Sequence, residues 1–473
     1  GNSCASANVF VSPDSSYLCF EQLIAPGIHG FREYSWEGDD ISSTEISIDS
    51  ATYFFLHFAE SVIQLADEQY IWVGQGIGDE GSIGFVGQYD ATTYEEIWSK
   101  LLFAPESSDY DLMLPLQLAD ESLLVLGAKH IDTDEDPWFE MSQVVLFWFT
   151  ENGDLLGDQT IELFPGELIS VADAYEKSNG NVVITGQAYS TTLGTNDPFI
   201  CEVSPDGSEL LEIERWTQDF GPGGIPRGEF LDDESLLISF VDEASLGGGV
   251  SRLWVKKLSL TNYQFEWEIE YFHSFHQMQI LELIITPDDG VLVVGKATEP
   301  LGFAHEYTWM LKTDSLGNEE WFNTYTHSDP DEDDYLHDDR IFDIEPTLDG
   351  GYIGVGWHVI LEPNGSNKTW LLKLDACGDV EWQGCEPVQS AIELHAHVVN
   401  IWPNPASNLF SISTPSPFEA VQILSMDGSL IQELKFSSAR SSETISIDGL
   451  AAGLYIVQCS GATWVARTRL VVE

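Results

Sequence analysis

Short apolar runs, each set off by an acidic or glycine-rich turn, recur along most of the chain. YLCFE (17–21), YIWVG (70–74), LLVLG (123–127), VVITG (182–186), LLISF (236–240), VLVVG (291–295) and YIGVG (352–356) end at spacings of 53, 53, 59, 54, 55 and 61 residues. Their length and β-branched or aromatic content predict strands. A turn precedes each run: PDSS, ADEQ, LADES, KSNGN, LDDES, PDDG and LDGG. Before each turn lies another short apolar stretch, as in LISVADAY (168–175) and IFDIEPT (341–347). A third strand follows a variable loop, clearest in YTWMLKTD (307–314) and KTWLLKLD (368–375). LGNEEW or CGDVEW then turns the chain into a fourth strand near Trp321 or Trp382, with Trp98 and Trp267 at the matching place earlier.

Four strands recurring at a period of about 55 residues form the pattern of a β-propeller blade. One four-stranded sheet cannot bury both faces, but sheets packed radially shield one another. The expectation is an all-β fold with a seven-bladed β-propeller over 1–385 and negligible helix. The repeat resembles the DGG-x-[IV]-x-V-G…W-L-[LV]-K-L-D…G-x-x-x-W propellers of secreted Bacteroidota proteins, over roughly residues 8–385. The fifth unit departs from it, with Ser239-Phe240 where the others have a small residue and Gly. The resemblance implies a fold and no particular activity.

After Cys385 the repeat ends. EPVQSAIELHAH has no strand pattern, and 386–396 reads as a linker. From 397 the pattern changes to VVNIW, LFSIS, AVQILSM, SLIQELKF, ETISI, LYIVQCS and TRLVV, which predicts a small Ig-like antiparallel β-sandwich of seven strands over 397–473. Trp402-Pro403-Asn404-Pro405 reads as the sharp turn after its first strand, because each proline fixes its own φ and extends its predecessor. This segment resembles the type A C-terminal sorting domain of the type IX secretion system. The matching residues are Trp402, Pro403, Asn404 and Pro405, then Asp427 and Gly428, then Gly453 and Tyr455, and finally Arg467 and Arg469. The resemblance implies secretion to the extracellular or outer-membrane surface. A shuttle would read the label, with Arg467 and Arg469 as contacts, and a sortase would cut within 386–397. The chain opens at Gly1 without Met or leader, so a removed signal peptide or a fragment is expected.

Charge narrows the partners. Against 79 Asp and Glu stand 18 Lys and Arg, a net charge of −61, which repels nucleic acid. Such a surface suits salty water or collects divalent cations. With no run of 18 apolar residues, no helical membrane span is expected. Of the six cysteines, Cys19, Cys201 and Cys459 lie in apolar strands and read as buried thiols. A Cys4–Cys385 disulfide is expected to staple the ring shut, worth about 4–5 kcal/mol in the chain-entropy model. Cys377–Cys385 is the rival, disfavoured because an extended 379–385 would hold them roughly 20 Å apart.

No nucleophile elbow, zinc-protease helix or phosphate loop appears, so catalytic residues are not assigned. Two acidic stretches suggest Ca²⁺. Asp132, Asp134, Asp136 and Glu140 stand at positions 1, 3, 5 and 9 and resemble the calcium loops of integrin-like propellers, with Pro137 in place of the usual Gly. Asp329, Asp331 and Asp333 repeat the 1-3-5 spacing between His327 and His337, which also leaves a transition-metal pair open. Hard oxygen ligands in a tight turn suit Ca²⁺. The expected function is a secreted, non-catalytic binding or structural display protein at the cell surface, for adhesion, capture or extracellular assembly. Its partners would be the secretion machinery and a surface glycan or other extracellular subunits. The alternative is a propeller hydrolase or lyase acting on polysaccharide.

Overall fold

The computed structural model describes residues 4–380 and 400–472 apart from short segments, among them 48–52, 56–60, 132–140, 217–225, 244–250, 299–304, 328–336, 361–365, 403–405, 407–408 and 426–429. Among the described residues the regular elements are strands, and no α-helix occurs. The chain divides into two compact units, Gly1–Trp382 and Gln383–Glu473. The linker expected at 386–396 lies outside the described residues.

In the first unit, strands pair antiparallel with their sequence neighbours. The first repeat comprises Cys4–Val11, Tyr17–Leu23, Ile28–Tyr34 and Asp40–Ser47 in that order. The third (Ser108–Gln117, Leu123–Ile131, Met141–Phe149, Leu155–Ile161) and fourth (Leu168–Glu176, Val182–Ser190, Thr195–Val203, Leu210–Arg215) follow the same plan. So does the fifth (Arg227–Asp232, Ser235–Glu243, Ser251–Ser259, Phe265–Phe272). In the second, two short pieces, Tyr53–Phe55 and Val62–Gln64, both pair with Tyr70–Gly78, which continues to Gly81–Tyr89 and Glu96–Phe103. The sixth (His276–Ile285, Val291–Thr298, His305–Thr313, Glu319–Tyr325) and seventh (His337–Pro346, Tyr352–Ile360, Ser366–Leu374) belong to one sheet. A parallel bridge joins them at His305↔His337 and Glu306↔Asp338. The fourth strand expected near Trp382 lies outside the described residues.

The glycine that ends YIGVG has a steric cause. The first strand of the seventh repeat bulges between Ile341 and Asp343. A Cβ on Gly356 would come within 1.8 Å of the Arg340 carbonyl oxygen thrust out beside that bulge. The third, fourth and sixth repeats bulge at the same place, between Leu112/Leu114, Val171/Asp173 and Ile280/Glu282. In the fifth repeat Phe240 replaces the glycine, and the first strand's pairing reaches only Ser239.

Apolar clusters join successive repeats. Leu18, Phe20 and Phe31 pack with Trp72 and Phe85, and Leu126 and Leu146 pack with Ile184 and Phe199. Val294 and Met310 of the sixth repeat pack with Ile341 and Leu372 of the seventh. The cycle returns to its start: Val9, Tyr17, Cys19 and Tyr34 of the first repeat pack with Ile353 and Val355 of the seventh. There the Val9 N–H donates to Asp343 Oδ2 at 2.8 Å. This arrangement of four-stranded sheets is consistent with propeller blades.

Among its described residues the second unit holds five strands where seven were expected over 397–473: Asn400–Trp402, Leu409–Ser425, Leu430–Ser446, Gly453–Ser460 and Val465–Val472. The stretches LFSIS and AVQILSM, expected as separate strands, are one 17-residue strand, as are SLIQELKF and ETISI. The ladder skips from Ser413 to Phe418, across Pro415 and Pro417, which have no N–H to donate. The backbone stays extended through the gap. Phe410, Ile412, Phe418, Val421, Ile423, Val457 and Leu470 form its core.

Candidate functional site

The most recognisable repeat residues prove structural. In the sixth repeat the first turn is closed by Thr286 N–H donating to Gly290 O at 3.0 Å, with Asp289 at φ 63°. Asp288 in that turn meets Lys312 of the third strand, whose side chain is 2% exposed. Lys312 Nζ donates to Asp288 Oδ2 at 2.8 Å, to Glu320 Oε2 at 2.9 Å and to Thr313 O at 2.7 Å. Burial pushes the Asp288 carboxyl up, but hydrogen bonds from Lys312 and Thr286 outweigh it and hold it below the usual carboxylate range. In the seventh repeat Lys373 Nζ reaches Asp349 Oδ2 at 2.8 Å in the same way. The Asp-Gly turn and the lysine of WLLKLD are therefore two ends of one internal staple.

The opposite ends of these strands carry a less regular group. Asp339, fully buried at the start of the seventh repeat's first strand, accepts from Thr326 Oγ1 at 2.7 Å and from the His327 N–H at 2.9 Å. Its other oxygen accepts from His358 Nδ1, which fixes the tautomer of that ring. The His327 ring lies 4.4 Å from that of His358, centroid to centroid. Burial, and then the neighbouring His358, hold the His327 imidazole below its ordinary value. Burial raises the Asp339 carboxyl, but donors from His358, Thr326 and the His327 backbone outweigh it. Nearby, Arg340 donates to Glu306 at 2.7 Å and to Asp338 at 2.6 Å, and Lys296 reaches Glu306 at 2.9 Å. The sequence singled out His327 but paired it with His337. The structure brings it to His358, and nothing in the local pattern marks His358, which reaches Asp339 only through strand pairing.

A third group lies on first strands. Burial, then the charges of Asp343 and Glu229, push the Glu345 carboxyl up to about 8. Glu229 belongs to the fifth repeat and Asp343 and Glu345 to the seventh.

The expected calcium ligands Asp132, Asp134, Asp136, Glu140, Asp329, Asp331 and Asp333 lie outside the described residues, and the described residues hold no cluster suited to a metal ion. Cys19, Cys201 and Cys459 are buried and stand outside any disulfide, as expected. The expected Cys4–Cys385 bond is corrected. Cys377 is disulfide-bonded, so with those three thiols outside any disulfide its partner is Cys4 or Cys385, and neither choice leaves those two for each other. The expectation placed Cys377 just before an extended segment. The structure places it inside a turn, where its N–H donates to Asp375 Oδ1 at 2.9 Å and Gly378 has φ 77°.

In the second unit Trp402 closes a short strand opposite Ser411, and Ala406 bridges to Val472. Gly453 pairs with Val472 and Tyr455 with Leu470. Arg467 and Arg469 stand on the last strand opposite Gln458 and Ile456. Pro403, Asn404, Pro405, Asp427 and Gly428 lie outside the described residues. Residues 400–473 match the family described as Secretion system C-terminal sorting domain. The protein is thus exported, to the extracellular space or the cell surface. Among solved structures, a protein of unknown function from Dyadobacter fermentans is similar over 64% of this chain and 92% of its own, with 14% identity and a TM-score of 0.43. An α-L-arabinanase from Penicillium chrysogenum complexed with arabinobiose is similar over 66% and 94%, with 13% identity and a TM-score of 0.41. No curated protein sequence matches.

Proposed function

We propose that this protein is a seven-bladed β-propeller carried to the cell surface by a type IX sorting domain of Ig-like form, and that it works there as a non-catalytic binding or display module. The observation that carries the reading is the match of residues 400–473 to the sorting family. The ring reading is supported by apolar clusters that run from repeat to repeat and from the seventh back to the first. The display reading is supported by the internal work of the prominent charged residues: Lys312, Lys373 and Arg340 hold the repeats' own carboxylates. The secretion shuttle and sortase are its export partners, and a surface glycan or another extracellular subunit is the target. Ca²⁺ at Asp132, Asp134, Asp136 and Glu140, and at Asp329, Asp331 and Asp333, is part of the proposal and is tested by terbium luminescence with and without alanine at those carboxylates.

Expression in a type IX-competent host tests the route. The full chain should appear at the surface, and a chain lacking 400–473 should accumulate in the periplasm. Equal surface display of both would overturn the reading. Purified protein that releases new reducing ends or unsaturated sugars from a polysaccharide panel would replace display with the enzymatic alternative.

A further inference from the structure

The staple described above has a counterpart from which the lysine is missing. In the sixth repeat Lys312 faces Leu292 on the second strand and Trp321 on the fourth. In the third repeat the residue in that register is Trp148, which faces Leu124 and Gly157. The first turn is the same: Leu118 N–H donates to Ser122 O at 2.8 Å, and Glu121, at φ 70°, matches Asp289. Asp120 therefore corresponds to Asp288, and Leu156 to Glu320. Where the sixth repeat holds an ammonium between two carboxylates, the third opens a cleft of about 420 Å³ bordered by Asp120, Trp148 and Leu156. Asp158 of the third repeat and Glu176 and Asp206 of the fourth complete its acidic rim. Its lining includes no Lys, Arg or His.

We propose that this cleft binds an external organic cation, an alkylammonium or guanidinium group, which takes the place that Lys312 fills in its own repeat. Four carboxylates face a void beside an indole. Cations bind well at such sites because the ring face and the carboxylates attract the same charge. The chain uses this pairing internally: Lys256 Nζ lies 4.6 Å from the Trp254 ring centroid and Lys373 Nζ 5.0 Å from that of Trp36. A hard divalent ion fits less well. Asp120 already accepts from Ser122, Asp206 from Ser204 and Ser208, and Glu176 from the Ala119 N–H at 2.6 Å. These bonds leave single oxygens and an apolar wall where Ca²⁺ wants six to eight ligands. Leu156, 63% exposed, offers that wall to the methylenes of a lysine-like chain. The site rests on the geometry of the repeats and not on the export reading, so its failure would leave that reading untouched.

Calorimetry on the purified full chain tests it, with n-butylammonium, n-butylguanidinium, spermidine and a lysine-containing peptide as probes, and butanol and the acetylated peptide as controls. The cations should bind and the controls should not. Asp120→Asn and Asp158→Asn should each weaken binding about three- to tenfold. Trp148→Lys should abolish it, because the chain then supplies its own ammonium, and should raise the urea midpoint. Trp148→Phe should retain binding within about threefold. A peptide bound at least about tenfold tighter than butylammonium supports the proposal with a partner's side chain as the source. Equal affinity supports it with a free amine as the source. No cation binding, or undiminished binding by folded Trp148→Lys, would overturn it, as would full displacement of the amine by equimolar Ca²⁺.

Discussion

Replacing Lys312 by Met keeps most of the buried stem and removes only the ammonium. Asp288 and Glu320 would then face each other across the space it held. Each lies about 3 Å from Nζ, at 2.8 and 2.9 Å, so the carboxylates stand within about 6 Å of one another. At an effective dielectric constant near 20, two like charges about 5 Å apart repel by about 3 kcal/mol, and by about 1 kcal/mol in bulk water. The side chains are 31% and 36% exposed, which places the repulsion between these limits, at about 1–2 kcal/mol. Losing charge-assisted hydrogen bonds from groups this exposed adds about 1–2 kcal/mol. The expected cost is about 3 kcal/mol at pH 7. The pH dependence gives the signature. In the wild type the depressed Asp288 carboxyl contributes stability above its unfolded value of 3.8, lost as pH falls through the lower folded value. Without Lys312 the burial and the facing Glu320 charge lift the Asp288 carboxyl above 3.8, so the folded variant takes up a proton before the unfolded chain does and the deficit should shrink as pH falls from 7 toward 4. Urea titrations of wild type and Lys312→Met between these values measure it, urea being uncharged. A deficit below about 1 kcal/mol at pH 7, or one equally large at pH 4, would refute the staple.

Three further outcomes are expected. Gly356→Ala should cost about 2–4 kcal/mol by thermal or urea unfolding, while Gly157→Ala, where an added Cβ meets nothing within 4 Å, should stay within about 0.5 kcal/mol. Glu345→Gln should stabilise the protein at alkaline pH. The folded chain holds a proton on Glu345 between its ordinary 4.5 and about 8 that the unfolded chain has released, so wild-type stability falls as pH rises through that window. The variant should lose that slope and gain about 2 kcal/mol above pH 8 in urea titrations at stepped pH. The thiols of Cys19, Cys201 and Cys459 should react with Ellman's reagent only after unfolding, since burial pushes the Cys201 and Cys459 thiols up to about 12.

The strands and turns were legible because their signals are local. Short apolar runs and the turns that precede them sit within a dozen residues of each other, whereas nothing in the pattern told why YIGVG ends on glycine, which only the bulge explains. The staple was less legible. Asp288 and Lys312 are both prominent, but their pairing follows from hairpin register. His358 and Asp339 meet for the same reason, 19 residues apart on paired strands. Nothing in the local pattern singles out Trp148, and only its register marks it as the substitute for a lysine. LFSIS and AVQILSM read as separate strands, yet the prolines between them delete hydrogen bonds without forbidding extended backbone, so one strand runs through. The cysteine pairing was not legible, because nothing in the local pattern marks Cys377, which occupies a turn, as a bonded cysteine.

The parallel bridge between His305–Thr313 and His337–Pro346 gives the first unit an uneven mechanical character. Among the described residues, other neighbouring repeats meet through side chains and scattered hydrogen bonds, whereas this joint also shares a backbone ladder, with Arg340 and Glu306 clasped across it. Under thermal or denaturing stress the sixth and seventh repeats would open as a single cooperative piece, with their amides exchanging together, and the rupture would begin at one of the joints that lack the weld.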